Sequence, residues 1–187
     1  MNKEEIKKEF KINVKDIAYI AVFVALITVC SYIQVPLPVP FTLQLFAIFL
    51  AIYLLGPFKS FLTILLYLLL GLIGVPVFAN FKAGISAFYS PTGGFLIGFL
   101  IVPLIYLPFY LLNNKNEIFY IISMIIGLLI TYIIGSLFFI YVFKKGEISL
   151  LSALTITVFP FIIPDILKLI LAYFIGKIIK KANIIYR

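Results

Sequence analysis

Residues 148–179 read ISLLSALTITVFPFIIPDILKLILAYFIGKII, with Pro160, Pro164, Asp165 and Lys168 in the middle of an otherwise apolar run. As one straight helix at 1.5 Å per residue it would reach about 48 Å, against about 30 Å of bilayer hydrocarbon. It is too long for a single span, and the two prolines offer the break. Residues 148–159 therefore read as a surface or re-entrant helix and residues 164–179 as a final span. Pro164 suits a helix's first turn, where its missing N–H is no loss. The rest of the chain has the same character. Apolar classes make up 64% of it and charged residues 12%, less than half the charge of a soluble domain. So few charges cannot coat a globular surface, and most of the exterior must face lipid.

Working back from this run, the sequence predicts an all-α membrane protein, a bundle of six spans in one integral membrane domain over residues 1–187. Span 1 covers 17–33. A proline-rich loop follows, with Pro36, Pro38 and Pro40. Span 2 covers 41–55, and Gly56-Pro57 turns the chain into span 3, 58–73. An irregular stretch runs from 74 to 91. Span 4 covers 93–112, bent near Pro103 and Pro108. A polar turn at 113–117 leads to span 5, 118–143, which Lys144-Lys145-Gly146-Glu147 ends.

Charge placement sets the expected orientation. Lys3, Lys7, Lys8, Lys11 and Lys15 precede span 1, in a basic segment of residues 1–16; Lys177, Lys180, Lys181 and Arg187 follow the last span. Both termini are expected at the cytoplasmic face, near anionic lipid. Parity then puts Lys59 and Lys115 inside, and Lys82, Lys144 and Lys145 outside; the last two run against the positive-inside rule. Ile6, Phe10 and Val14 recur every four residues among the lysines, which fits a short amphipathic helix or a charged tail. The first apolar run is long and has no small-residue cleavage site after it, so it reads as a span rather than a leader.

Several chemistries have little to work with. Cys30 is the single cysteine, histidine is absent, and nearly all of the seven acids lie outside the predicted spans. A metal-dependent or proton-relay enzyme lacks ligands and bases. No P-loop motif is present, so ATP binding by this chain is not expected.

Three irregular features fall by parity on the same, outer side: the proline-rich loop, the 74–91 stretch and the broken start of the last span. Irregular backbone at membrane depth survives only where protein or a water-filled cavity satisfies it. A pocket in the outer half of the bundle follows. Asp165 and Lys168 are the acid and base predicted well inside a span, three residues apart on one helix face beside that pocket. They serve either as ligand contacts or as a self-satisfied ion pair that snorkels outward. Asn80 offers an amide that donates and accepts, or an ordinary loop turn. Thr42 and Gln44 open span 2 as pocket groups or as a cap. Gly93 and Gly94 permit close approach of a helix start to a ligand. Phe41, Phe78 and Tyr89 are candidate walls, with packing as the default reading. In span 1, Ala18, Ala21 and Ala25 flatten one face and allow a partner helix to approach.

The runs Pro38-Val39-Pro40-Phe41-Thr42-Leu43-Gln44, Gly74-Val75-Pro76-Val77-Phe78-Ala79, Ser90-Pro91-Thr92-Gly93-Gly94-Phe95 and Phe159-Pro160-Phe161 followed by Pro164-Asp165 and Lys168 resemble the BioY family. These are biotin-specific substrate-binding (S) components of energy-coupling factor (ECF) transporters. The resemblance covers nearly the whole chain in order. It implies six transmembrane helices and a biotin pocket near the extracellular side. It also implies docking to an energising module of one membrane protein and two ATPases, so that ATP is used by partners and this chain carries no cofactor. It maps the docking feature onto Ala21 and Ala25, the family's polar pair onto Asp165 and Lys168, and its pocket asparagine onto Asn80. The chain departs from glycine-rich family members over residues 82–89. The alternatives are an S component for another vitamin, a self-contained secondary transporter, which would need an ion-coupling site, and a membrane enzyme, which lacks a second intramembrane acid.

Overall fold

The structure is a computed structural model that describes residues 10–37, 39–112 and 117–182. Ile6, Pro38, Lys115 and Arg187, which figure in the expectations above, lie outside those residues. Helix α1, Val14–Tyr32, opens with a capping box: the Asn13 side chain accepts from the Asp16 N–H at 2.9 Å, and Asp16 Oδ2 accepts from the Asn13 N–H at 3.0 Å. The box starts the helix three residues before the expected 17. It thereby turns Asp16 inward, where its Oδ1 meets Lys59 Nζ at 2.8 Å. Asp16 and Lys59 are only 1% and 8% exposed. The sequence places only Asp165 and Lys168 well inside spans; Asp16, from the end of the basic segment, and Lys59, from the turn after span 2, form a second buried pair.

The proline-rich loop is a small hairpin, β1 (Gln34–Val35) against β2 (Phe41–Thr42), in register Gln34↔Thr42 and Val35↔Phe41. The Leu43 N–H bonds the carbonyls of Cys30 and Ile33, so α2 begins at Gln44 and not at 41. Helix α2, Gln44–Leu55, is buried at every position but Phe46. A helix apolar all round belongs in a core, and this one packs on α1, on α3 (Pro57–Leu72) and on α9 (Ile162–Lys181). Its twelve residues span about 18 Å; being sheathed by other helices, it need not cross the hydrocarbon alone. Gly56 makes the turn into α3 at φ +78°, open to glycine, with Pro57 at the helix start.

Residues 74–91 hold a 3-10 turn, Ala79–Phe81, and a one-turn helix α4, Ile85–Phe88. They are pinned to the end of α1: Ser31 Oγ donates to the Val77 carbonyl at 2.7 Å, the Tyr32 hydroxyl donates to the Pro76 carbonyl, and Gln34 Nε2 donates to Asn80 Oδ1 at 2.7 Å. Span 4 is divided into α5 (Gly93–Phe99) and α6 (Ile101–Leu111). The break falls where the Pro103 ring meets the carbonyl four residues back, at Phe99; Pro108 is tolerated inside α6. Helix α7, Glu117–Phe138, ends in a π turn, Phe139–Phe143. It packs on α5 and α6 through small residues. A Cβ on Gly94 would stand 2.4 Å from Phe138 Cβ, and one on Gly135 2.4 Å from the Phe95 ring. Gly93 faces the Phe88 carbonyl in the same way. At Gly93 and Gly94 a side chain would collide with neighbouring chain, so close packing at this helix start requires glycine.

The 148–179 run breaks as expected. Helix α8, Leu150–Thr157, and α9 are bent by 42° at a break that holds Pro160, and Pro164 lies in the first turn of α9. Among the described residues, α1, α5 with α6, and α7 with its π turn are each long and apolar enough to cross a membrane. The bent α8–α9 pair makes a fourth, and α2 and α3 are shorter apolar helices. The expected spans fall on these apolar helices; four units reach the length needed for crossing, and α2 and α3 do not.

Candidate ligand-binding site

Hairpin, 74–91 segment, start of α5, late α7 and the α8–α9 break meet at one end of the bundle and enclose a cavity. Its free volume is about 60 Å³, well below that of an open small-molecule site, so a ligand enters only as the walls part. The wall is mostly apolar and aromatic, with Phe41, Phe78, Phe95, Phe99 and Phe161 prominent in it. Into this wall α9 projects Asp165 and Lys168, 3% and 4% exposed. Lys168 Nζ stands 2.6 Å from Asp165 Oδ1 and 3.8 Å from the centre of the Phe41 ring. The other carboxylate oxygen, Oδ2, accepts from the Tyr132 hydroxyl at 2.7 Å. Neither side chain snorkels outward, so the outward-facing version of the ion-pair reading is excluded.

The pair lies here because the chain must bend at 158–161. The bend swings the first turn of α9 over the N-terminus of α2, and residues 165 and 168 share the face that results. On the opposite wall Gln44 Nε2 donates to the Tyr67 hydroxyl at 2.9 Å, and that hydroxyl donates to the Val77 carbonyl at 3.0 Å. This chain of bonds ties the start of α2 to the 74–91 segment. The α2 N-terminus also presents its positive dipole end to the cavity.

Of the residues singled out in the sequence, Phe41, Thr42, Gln44, Phe78, Asp165 and Lys168 line the cavity. Asn80 and Tyr89 do not. Asn80 is exposed, in a left-handed conformation at φ +59° that asparagine tolerates, and its amide oxygen holds Gln34. Tyr89 is 65% exposed. Tyr132 was missed, as were Thr131 and Thr157 in the same wall. A signal was present: Thr131, Tyr132 and Ser136 cluster in the middle of an apolar span, where polar groups need a reason. On α1, Ala18, Ala21 and Ala25 are all exposed, while Ile20, Phe23, Val24 and Ile27 of the same helix are buried.

A bundle of apolar helices whose loops and broken last span enclose a small-molecule cavity with one buried ion pair defines a multi-pass membrane protein built to hold a ligand. Comparison with known proteins gives the family. The model for the BioY family matches residues 2–184, and the chain belongs to the BioY family. It is 39% identical to the biotin transporter BioY of Thermotoga maritima, covering 87% of this chain and 94% of that protein. It is 38% identical to a probable biotin transporter BioY of Pyrococcus horikoshii, with the same coverage. The crystal structure of an S-component for biotin from an ECF-type ABC transporter superposes with a TM-score of 0.79 at 26% identity, covering 97% of this chain and 95% of that one.

Proposed function

We propose that this chain is the biotin-capturing S component of an ECF-type uptake transporter. The observation that carries the reading is the Tyr132–Asp165–Lys168 cluster, buried in an otherwise apolar and aromatic cavity. Biotin has a ureido group with two N–H donors and a carbonyl acceptor, an apolar ring and chain, and a carboxylate. The carboxylate of Asp165 accepts from N–H groups, Lys168 donates to a carbonyl or carboxylate, and the phenyl walls cover the rest. Purified protein is expected to bind biotin tightly in titration calorimetry and to ignore thiamin and riboflavin. Folded protein that gives no heat with biotin sinks this reading.

In the same reading both termini face the cytoplasm, supported by the excess of lysine at that end, and the cavity opens to the outside. The chain carries no cofactor of its own. Delivery inward uses an energising module of one transmembrane coupling protein and two ATPase subunits, docked on the exposed face of Ala18, Ala21 and Ala25. Ala21→Leu with Ala25→Leu is expected to abolish co-purification with the module while biotin affinity stays within about twofold, since neither residue lines the cavity. Lost affinity with assembly retained places the docking face elsewhere. A secondary transporter has less support: Asp16, Glu117 and Asp165 each already pair with a lysine, which leaves no free acid among them to couple a cation.

A further inference from the structure

Helices α7 and α9 are joined at two places and parted between them. At one end the Tyr132 hydroxyl holds Asp165. At the other, Glu117 accepts from Lys177 Nζ at 3.0 Å and from the Tyr173 hydroxyl. At 1.5 Å per residue the two ties stand about 22 Å apart along α7. Between them lies a groove of about 540 Å³, lined on α7 by Ile121, Ile125 and Leu129 and on α9 by Ile166, Ile170 and Phe174. Neither helix fills it: α7 packs on α5, α6 and α8, and α9 packs on α2.

Water gains nothing in a groove with almost no polar surface, and the neighbouring solvent at that depth is hydrocarbon. The groove stripe on α9, which passes through residues 166, 170 and 174, continues at helical spacing to Lys177 and Lys181. Lys177 and Lys181 there outnumber the one carboxylate of Glu117, while Lys180 turns to the Tyr53 ring of α2. We propose that this groove is a binding site for one anionic phospholipid, an acyl chain lying between α7 and α9 and the phosphate headgroup meeting Lys177 and Lys181. The length of the groove exceeds the roughly 15 Å of one leaflet's hydrocarbon, half of the bilayer core. Tyr132 lines both this groove and the ligand cavity, so the bound chain backs the cavity wall.

The protein contains no tryptophan, which makes a single introduced one a clean reporter. Leu129→Trp and Ile170→Trp place it at the groove rim from either helix, where both side chains are exposed, and Leu104→Trp on α6 serves as a lipid-facing control. Each variant is reconstituted with acyl-brominated phosphatidylglycerol or phosphatidylcholine of the same chain length, and quenching is titrated. Both groove reporters are expected to be quenched by the anionic lipid in a saturable, one-to-one manner, with the control showing no headgroup preference. Lys181→Gln is expected to lower that preference about fivefold, the worth of one lysine at an anionic surface. Equal quenching by both headgroups at the groove and the control overturns the proposal in favour of ordinary annular lipid. Absent quenching, with self-association that depends on protein concentration, overturns it in favour of a second copy in the groove.

Discussion

Asp165→Ala and Lys168→Ala are each expected to weaken biotin binding by about 2–5 kcal/mol, the cost of a lost charged hydrogen bond plus a partner left unpaired in a poorly solvated site. The geometry makes the loss at Asp165 the larger of the two. Its removal strands both the Lys168 ammonium and the Tyr132 hydroxyl, whereas removal of Lys168 leaves the carboxylate still bonded to Tyr132. A purely structural pair predicts something else: singles that mainly unfold the protein, and a double change to Asn and Met that restores both stability and binding, as neutral replacement of a buried pair often does. The double variant Asp165→Asn with Lys168→Met separates the two. It is expected to melt like the parent without ligand, yet biotin gives it almost no thermal shift. A folded double variant stabilised by biotin to the parent's extent removes these residues from the site and leaves the fold intact.

The opposite outcome is expected for the second ion pair. Lys59→Ala removes the cation paired with Asp16, which is 1% exposed, and breaking a buried pair from one side costs about 3–5 kcal/mol of stability. Thermal unfolding in detergent reads that loss, while biotin affinity of the folded fraction stays near the parent value, because neither residue lines the cavity. Lys59→Met combined with Asp16→Asn is expected to recover most of the stability. A Lys59→Ala protein as stable as the parent refutes the burial of this pair. Unchanged stability with lost affinity assigns it to ligand binding instead.

The fate of these two pairs shows what could be read from sequence. Composition and run length determined a helical membrane protein, because few charges and runs matched to the hydrocarbon thickness leave no other solution. The prolines of 148–179 determined that the last run breaks, because a ring removes a donor and collides with the turn before it. The four local motifs carried the family resemblance. Asp165 and Lys168 were legible as a site because a charge inside an apolar run needs a partner or a function. Asp16 was not: it sat at the edge of a basic tail, and only the capping box with Asn13 and the placement of α3 beside α1 decided that it is buried. Tyr132 could be suspected as a polar group in a span, but its bond to Asp165 crosses helices and exists only once α9 bends over α2. Asn80, offered as a pocket amide or a loop turn, and Tyr89, offered as a wall or as packing, lie outside the cavity lining, because a loop's sequence does not tell which side faces in; the bond from Gln34 holds Asn80 at the surface. Period, charge and chain-breaking residues are local properties and survive in one dimension. Which faces meet depends on how helices pack, and that is settled only by the whole bundle.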